Sequence, residues 1–157
     1  IIQDKPFTVL IDYAPEPYSM QALYDTIATW PKNKLIHILG SAGGGRDVAR
    51  RKILGEMAGH TADIVIVTNE DPYDDNPQEI INNVASGSFD AGKIAGENLF
   101  SIVDRREAIA RALHLANHGD LVLITGKGSE PLMCVSGGIK IPWDDRQIAR
   151  DELAKLK

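Results

Sequence analysis

The sequence predicts an α/β fold: a Rossmann-like, doubly wound, mostly parallel sheet with flanking helices. Two observations predict it. Four short apolar runs rich in β-branched residues have the pattern of strands buried on both faces: FTVLI at Phe7 to Ile11, LIHIL at Leu35 to Leu39, IVIV at Ile64 to Val67 and LVLI at Leu121 to Ile124. Helix-like stretches alternate with them, and that alternation is how a parallel sheet is wired.

The elements follow in order. Ser19 to Thr29, Val48 to His60, Pro77 to Ser86 and Arg105 to Asn117 read as helices, the last with Ile109, Leu113 and Ala116 at helical spacing. Leu99 to Val103 is a weaker fifth strand. Asn117-His118-Gly119-Asp120 is a turn, and Gly137-Gly138 after MCVS predicts a short hairpin into IKIPW. Asp144 or Asp145 caps a final helix reaching Leu156.

The 157 residues, 43% of them hydrophobic, suit one domain, residues 1–157, with a sizeable core. A formal charge of -5 gives no general attraction for nucleic acid or an anionic membrane, yet leaves a small anionic or zwitterionic ligand possible. Cys134 is the only cysteine, which excludes an internal disulfide and a thiolate zinc site. No run approaches the roughly 20 apolar residues of a membrane span, and IIQDKPF lacks the order of a signal peptide. A cytoplasmic protein is expected. The opening lacks Met and runs quickly into a strand, as a piece of something longer would.

In an open parallel sheet, ligands collect at the carboxyl ends of the strands. Residues 12–17, 40–47, 68–77 and 126–130 fall there. GSAGGGRD (40–47) follows a strand and opens a helix, so its glycines and free amides can face an anion, and Arg46 can grip a carboxylate with two parallel hydrogen bonds. Otherwise it is a flexible connector. Arg50, Arg51 and Lys52 read as a solvated helix face. TNEDPYDDNP (68–77) is an acidic capped loop that could attract an amine, without the geometry of a metal site. GKGSE (126–130) is a surface turn or an ammonium site in which Glu130 accepts hydrogen bonds. Ser129 has no evident His and Asp partners for hydrolysis. Asp12, at a strand end, is placed where an acidic residue holds ribose hydroxyls.

Gly87, Gly92, Lys93 and Ile94 match a phosphate-loop spacing, but Ile stands where Ser or Thr should meet magnesium, and the segment follows a helix. It reads as chance. The histidines have no metal spacing: His37 is structural, and His60, His114 and His118 are helix-end or surface residues.

In this order, DYAPEP, GSAGGGRDVARR, TNEDPYDDNP, DRREAI, GDLVLITGKGSE and WDDRQIA resemble the carboxy-terminal domain of Mur ligases, over Phe7 to about Leu153. The likeness is strongest to members that add the third residue to UDP-N-acetylmuramoyl dipeptide. It implies an ATP-dependent amide ligase of peptidoglycan precursor synthesis, in which an amine attacks an acyl phosphate. It also implies that this is the last of three domains, with ATP and Mg bound mainly by the central one. No residue of this domain would then be catalytic and none would bind metal. By the same resemblance Asp12 contacts the ribose of ATP. Arg46, Asp71, Tyr73, Gly126 and Glu130 bind the amino acid, Gly126 through its backbone.

Three departures stand out. Pro15 and Ser129 stand where the family usually has His, and the DNPR of diaminopimelate-adding members is here Glu70-Asp71-Pro72-Tyr73. Tyr73 cannot supply a guanidinium for a distal carboxylate, and Asp71 instead suggests a cationic side chain such as lysine. The competing readings are a folylpolyglutamate or cyanophycin type of ligase domain and a free-standing, non-catalytic amino-acid or nucleotide-binding module.

Overall fold

The structure, a computed structural model, describes residues 1–156. Lys157, the last residue of the expected domain, lies outside them. A five-stranded sheet is built from β1 (Thr8–Ile11), β2 (Leu35–Leu39), β3 (Ile64–Thr68), β4 (Leu99–Ile102) and β5 (Leu121–Ile124) in the order β1-β5-β2-β3-β4, every pair parallel. Five helices connect and cover it: α1 (Pro17–Ala28), α2 (Ala49–Thr61), α3 (Pro77–Asp90), α4 (Arg105–Leu115) and α5 (Asp145–Ala154). A separate antiparallel ribbon, β6 (Leu132–Val135) with β7 (Ile139–Pro142), is the expected hairpin.

Strand alternation divides the core. Leu35, Leu39, Val65, Val67, Leu121 and Leu123 face α1, α2 and α3; Ile36, Ile38, Ile66, Val122 and Ile124 face α4 and α5. The chain steps across the sheet one way through α1, α2 and α3 and returns through α4 to insert β5, so the reversal of direction puts the return helix on the other face.

Local chemistry sets the ends. Pro77 at the first turn of α3 and the Asn76 side chain accepting from the Gln78 amide (2.9 Å) fix that start. Asp104 does the same for α4 through the Glu107 amide (2.9 Å), and Asp144, not Asp145, caps α5. α1 starts two residues before the expected Ser19, because Pro17 suits a first turn and the Ser19 hydroxyl closes back on the Glu16 backbone. α5 ends at Ala154, short of Leu156.

α3 runs past the expected Ser86 to Asp90, because Gly87 is a packing residue. A Cβ at Gly55 would fall on the Val84 carbonyl, and one at Gly87 on the Lys52 carbonyl, so α2 and α3 touch backbone to backbone. Gly87 is thus inside a helix, which removes the phosphate-loop spacing from consideration. No helix of the described residues is long and apolar enough to cross a membrane.

One polar chain crosses the core. His37, fully buried, meets the Tyr24 hydroxyl at Nδ1 (2.7 Å) and the Thr125 hydroxyl at Nε2 (3.0 Å), and burial holds its pKa down at about 3, so it is neutral. Its structural reading holds.

Candidate functional site

The loops leaving β1, β2, β3 and β5 meet at the carboxyl end of the sheet. The phenol of Tyr13 marks the meeting point. Its pKa is raised, first by burial and then by the Glu130 and Glu70 carboxylates, while Arg46 and Lys127 oppose the shift. Tyr13, two residues beyond β1, therefore lies near charged groups of each of the other three loops. Tyr13 was not singled out in the sequence, where it was only the middle of DYA.

The pocket, about 200 Å³, is lined by Asp71, Tyr73, Lys127, Glu130, Pro131, Leu132, Cys134 and Lys140. Larger hollows exist, including an apolar groove of about 600 Å³ between α3 and β4 and one of about 700 Å³ beside Pro6 and Gly119, and these two do not gather opposed charges from several loops. At its centre is Lys127. Its side chain is only 1% exposed, and its ammonium meets both Asp71 oxygens at 2.9 Å and Glu130 Oε2 at 2.7 Å. These partners hold its pKa up against burial. Sequence reasoning missed Lys127, because Asp71 lies 56 residues away and Glu130, three residues on, carries no local signal of pairing.

The four carboxylates of the β3 loop divide their work. Asp71 also accepts the Cys134 amide (2.8 Å), tying the loop to the ribbon; Asp74 accepts the Ser136 hydroxyl (2.9 Å) and the Gly137 amide (2.8 Å). Asp75 accepts from Arg51 (3.0 Å). Arg50 pairs with Glu16, and both arginines are buried, 7% and 5% exposed. The expected solvated face is thus corrected: Arg50 and Arg51 are turned into the loops at the mouth of the sheet, and of the three only Lys52 is solvent-facing, paired with Asp90 (2.7 Å).

Glu70 is the exception. It is 6% exposed, with no side-chain hydrogen bond among the described residues, and burial raises its pKa to about 7. Gly126 is glycine on its account: φ is +105° and a Cβ there would collide with the Glu70 carboxylate. A raised folded-state value means that Glu70 favours folding below its ordinary value of 4.5 and that this contribution is lost as pH rises to about 7. Glu70→Gln is therefore expected to stabilise the protein at pH 8 by on the order of 2–3 kcal/mol relative to its effect at pH 4.5. Urea midpoints at both pH values measure this, and an equal effect at both would refute it.

The remaining sequence-derived residues are placed as follows. Arg46 is exposed on the glycine loop and lowers the pKa of Tyr73, whose value is raised first by the neighbouring Cys134 thiol. Tyr73, at φ +51°, lays its ring over Gly44. The Gly126 amide is already taken by the Tyr13 carbonyl (2.9 Å). Asp12 leaves β1 with Oδ1 accepting the Ala14 amide (3.1 Å); it lies outside the pocket lining.

Arg105, the first residue of α4, holds the frame. It is 2% exposed and donates twice to Asp145 (2.9 and 2.7 Å), once to the Asn69 carbonyl (3.1 Å) and once to the Thr125 carbonyl (2.8 Å). Those carbonyls immediately precede Glu70 and Gly126. Trp143 Nε1 adds a bond to Asp145 (2.8 Å). Nothing in a run such as DRREAI distinguishes Arg105 from its surface neighbour Arg106.

A parallel sheet with helices on both faces and charged loops converging at its carboxyl edge defines a Rossmann-like α/β domain. The family described as Mur ligase, glutamate ligase domain matches residues 1–128, and the chain belongs to the Mur ligase family. A UDP-N-acetylmuramyl-tripeptide synthetase of Roseiflexus sp. (strain RS-1) is 41% identical over 152 residues, 97% of this chain and 30% of that protein. A UDP-N-acetylmuramoyl-L-alanyl-D-glutamate--2,6-diaminopimelate ligase of Aquifex aeolicus (strain VF5) is 35% identical over 98% of this chain and 30% of its own length. A solved UDP-N-acetylmuramoyl-L-alanyl-D-glutamate--2,6-diaminopimelate ligase superposes with a TM-score of 0.83 at 29% identity, covering 94% of this chain and 29% of that one. The chain therefore spans about 30% of the length of the relatives it matches.

Proposed function

We propose that this chain is the carboxy-terminal, amino-acid-presenting domain of an ATP-dependent ligase that works in the cytoplasm and adds an amino acid to UDP-N-acetylmuramoyl dipeptide. The observation that carries the reading is opposed charge on the loops around the pocket: Glu130 lines it, and Arg46 stands outside the lining beside Tyr73. Glu130 uses only Oε2 on Lys127, which leaves Oε1 for an ammonium, while Arg46, acting on the same Tyr13 phenol, offers a guanidinium for a carboxylate. A zwitterionic amino acid has that pattern.

In the intact enzyme ATP would convert the peptide carboxylate into an acyl phosphate, with its phosphates and Mg held mainly by the central domain of the ligase. The residues of this chain fit the ribose at most, through Asp12. Their work is to hold the amine. Glu130 accepts from the ammonium; once that group has given a proton to solvent, the free amine attacks the acyl carbon, the amide C–N bond forms and the C–O bond to phosphate breaks, releasing inorganic phosphate. Arg46 fixes the other end, and closure of this domain excludes the water that would hydrolyse the acyl phosphate. Tyr73 stands where a guanidinium would bind the distal carboxylate of diaminopimelate, so another amino acid is favoured.

The test is ADP formation by the intact ligase given UDP-N-acetylmuramoyl dipeptide and lysine, ornithine, diaminopimelate or neutral amino acids one at a time. Stimulation by one of them is expected, with Glu130→Gln raising its KM by about tenfold or more, the scale of one charge-assisted hydrogen bond. Stimulation by none, with folded enzyme, would count against the proposal.

A further inference from the structure

We infer that Lys127 sets the side-chain charge this pocket selects, because its ammonium is a resident cation that neutralises Asp71. The inference rests on the reading of the pocket as an amino-acid site, and it goes beyond that reading by naming what limits the choice of amino acid. All three ammonium donors are spent inside the protein, two contacts to Asp71 and one to Glu130. Asp71 receives the Cys134 amide as well. Its carboxylate is thus satisfied before any ligand arrives, and what remains unshared is the outer oxygen of Glu130.

The charge balance follows. Within the contact cluster Asp71 and Glu130 bring two negative charges and Lys127 one positive; exposed Lys140 adds a second positive charge to the lining without touching either carboxylate, and Tyr73 and Cys134 are its other ionisable residues. The negative charge that Lys127 does not balance within this cluster lies on the Glu130 side, where the α-ammonium belongs. The part beside Asp71, walled by Tyr73, Leu132 and Cys134, is close to neutral. A cation at the end of a substrate side chain would compete with Lys127 for Asp71 and gain little.

The lysine cannot easily turn away to make room. Its loop is held between two glycines at positive φ: the Gly126 amide is bonded to the Tyr13 carbonyl, and Gly128 lies so close to the Tyr13 backbone that a Cβ would press on it. A lysine at 1% exposure with three short contacts is a fixed part of the wall.

Removing one partner or the other should therefore move selectivity in opposite directions. Lysine and norleucine, which share a straight chain and differ in the terminal ammonium, measure it. Titration calorimetry gives their dissociation constants for this chain, and ADP formation gives their KM values for the intact ligase. The wild-type protein is expected to discriminate weakly between the two. Lys127→Met should shift the preference toward lysine by about tenfold or more, and Asp71→Asn toward norleucine, as a unit charge a few ångströms away in a partly wet site requires. Lys127→Arg, which keeps the charge, should retain the wild-type ratio. If Lys127→Met fails to fold, the isosteric Asp71→Asn reads the same balance from the other side. A ratio unchanged by the charge-altering variants, with amino-acid-dependent ADP formation intact, overturns the inference alone. No amino acid binding to the chain or stimulating the ligase overturns the proposed function, and this inference with it.

Discussion

Gly55→Ala is expected to destabilise the protein by roughly 3 kcal/mol, at the upper end of overpacking effects, although alanine is the better helix former by about 1 kcal/mol. Sterics decide it. The added Cβ would meet the Val84 carbonyl, a backbone atom held by its own helix, so no side-chain rotation relieves the clash. The two helices would have to separate along the contact that also includes Gly59 against Ser88, Gly87 against Lys52, and the Ser88 hydroxyl bonded to the Gly55 carbonyl (2.6 Å). Since a domain's whole stability is about 5–15 kcal/mol, the loss should be plain in a urea titration. A variant as stable as wild type would show that α2 and α3 do not cross in backbone contact.

Arg105→Met should be at least as damaging, costing about 3–5 kcal/mol, the scale for a buried ion pair that loses one partner. Asp145 would be left charged with only Trp143 Nε1, and the Asn69 and Thr125 carbonyls would lose their donor. Breaking the pair from both sides is milder than the sum, because no uncompensated charge remains. In a double-mutant cycle, Arg105→Met with Asp145→Asn is therefore expected to fall short of additivity by about 1–3 kcal/mol. Strict additivity would mean that the two side chains act independently. The same variants should increase amide exchange at Glu70 and Gly126, whose preceding carbonyls Arg105 holds.

β2, β3 and β5 were legible because a strand buried on both faces needs an unbroken apolar run; β1, expected to be buried likewise, is a half-buried edge strand. Leu35–Leu39 and Leu121–Ile124 match their expected limits, and the other three differ by a residue. Helix starts were legible where a cap is a local event, as at Asn76 and Asp104. Glycine misled at α3, since Gly87 looks like a helix breaker until the neighbouring helix is in view.

The site was legible by position and less so by partnership. The strand-end rule pointed to four loops that do converge; of the residues named on them, Asp71, Tyr73 and Glu130 line one pocket, while Arg46, Gly126 and Asp12 lie outside its lining. What a one-dimensional reading cannot give is which charge faces which. Arg50 and Arg51 turned inward because their partners Glu16 and Asp75 come from other loops. Lys127 became the centre of the pocket because Asp71 is brought to it across the sheet.

The strand order also governs how the molecule can come together as it is made. β5, the last strand of the main sheet in sequence, lies between β1 and β2, the first two. As the polypeptide leaves the ribosome, β2, β3 and β4 can pair in succession, while β1 has no parallel strand to join until residues 121–124 have emerged. Insertion of that strand is a long-range closure that brings β1 into the sheet and seats Gly126 and Lys127 opposite Glu70 and Asp71. Completing the fold and assembling the pocket are thus one event, late in synthesis, and a nascent chain stalled before β5 would carry an exposed β2 edge.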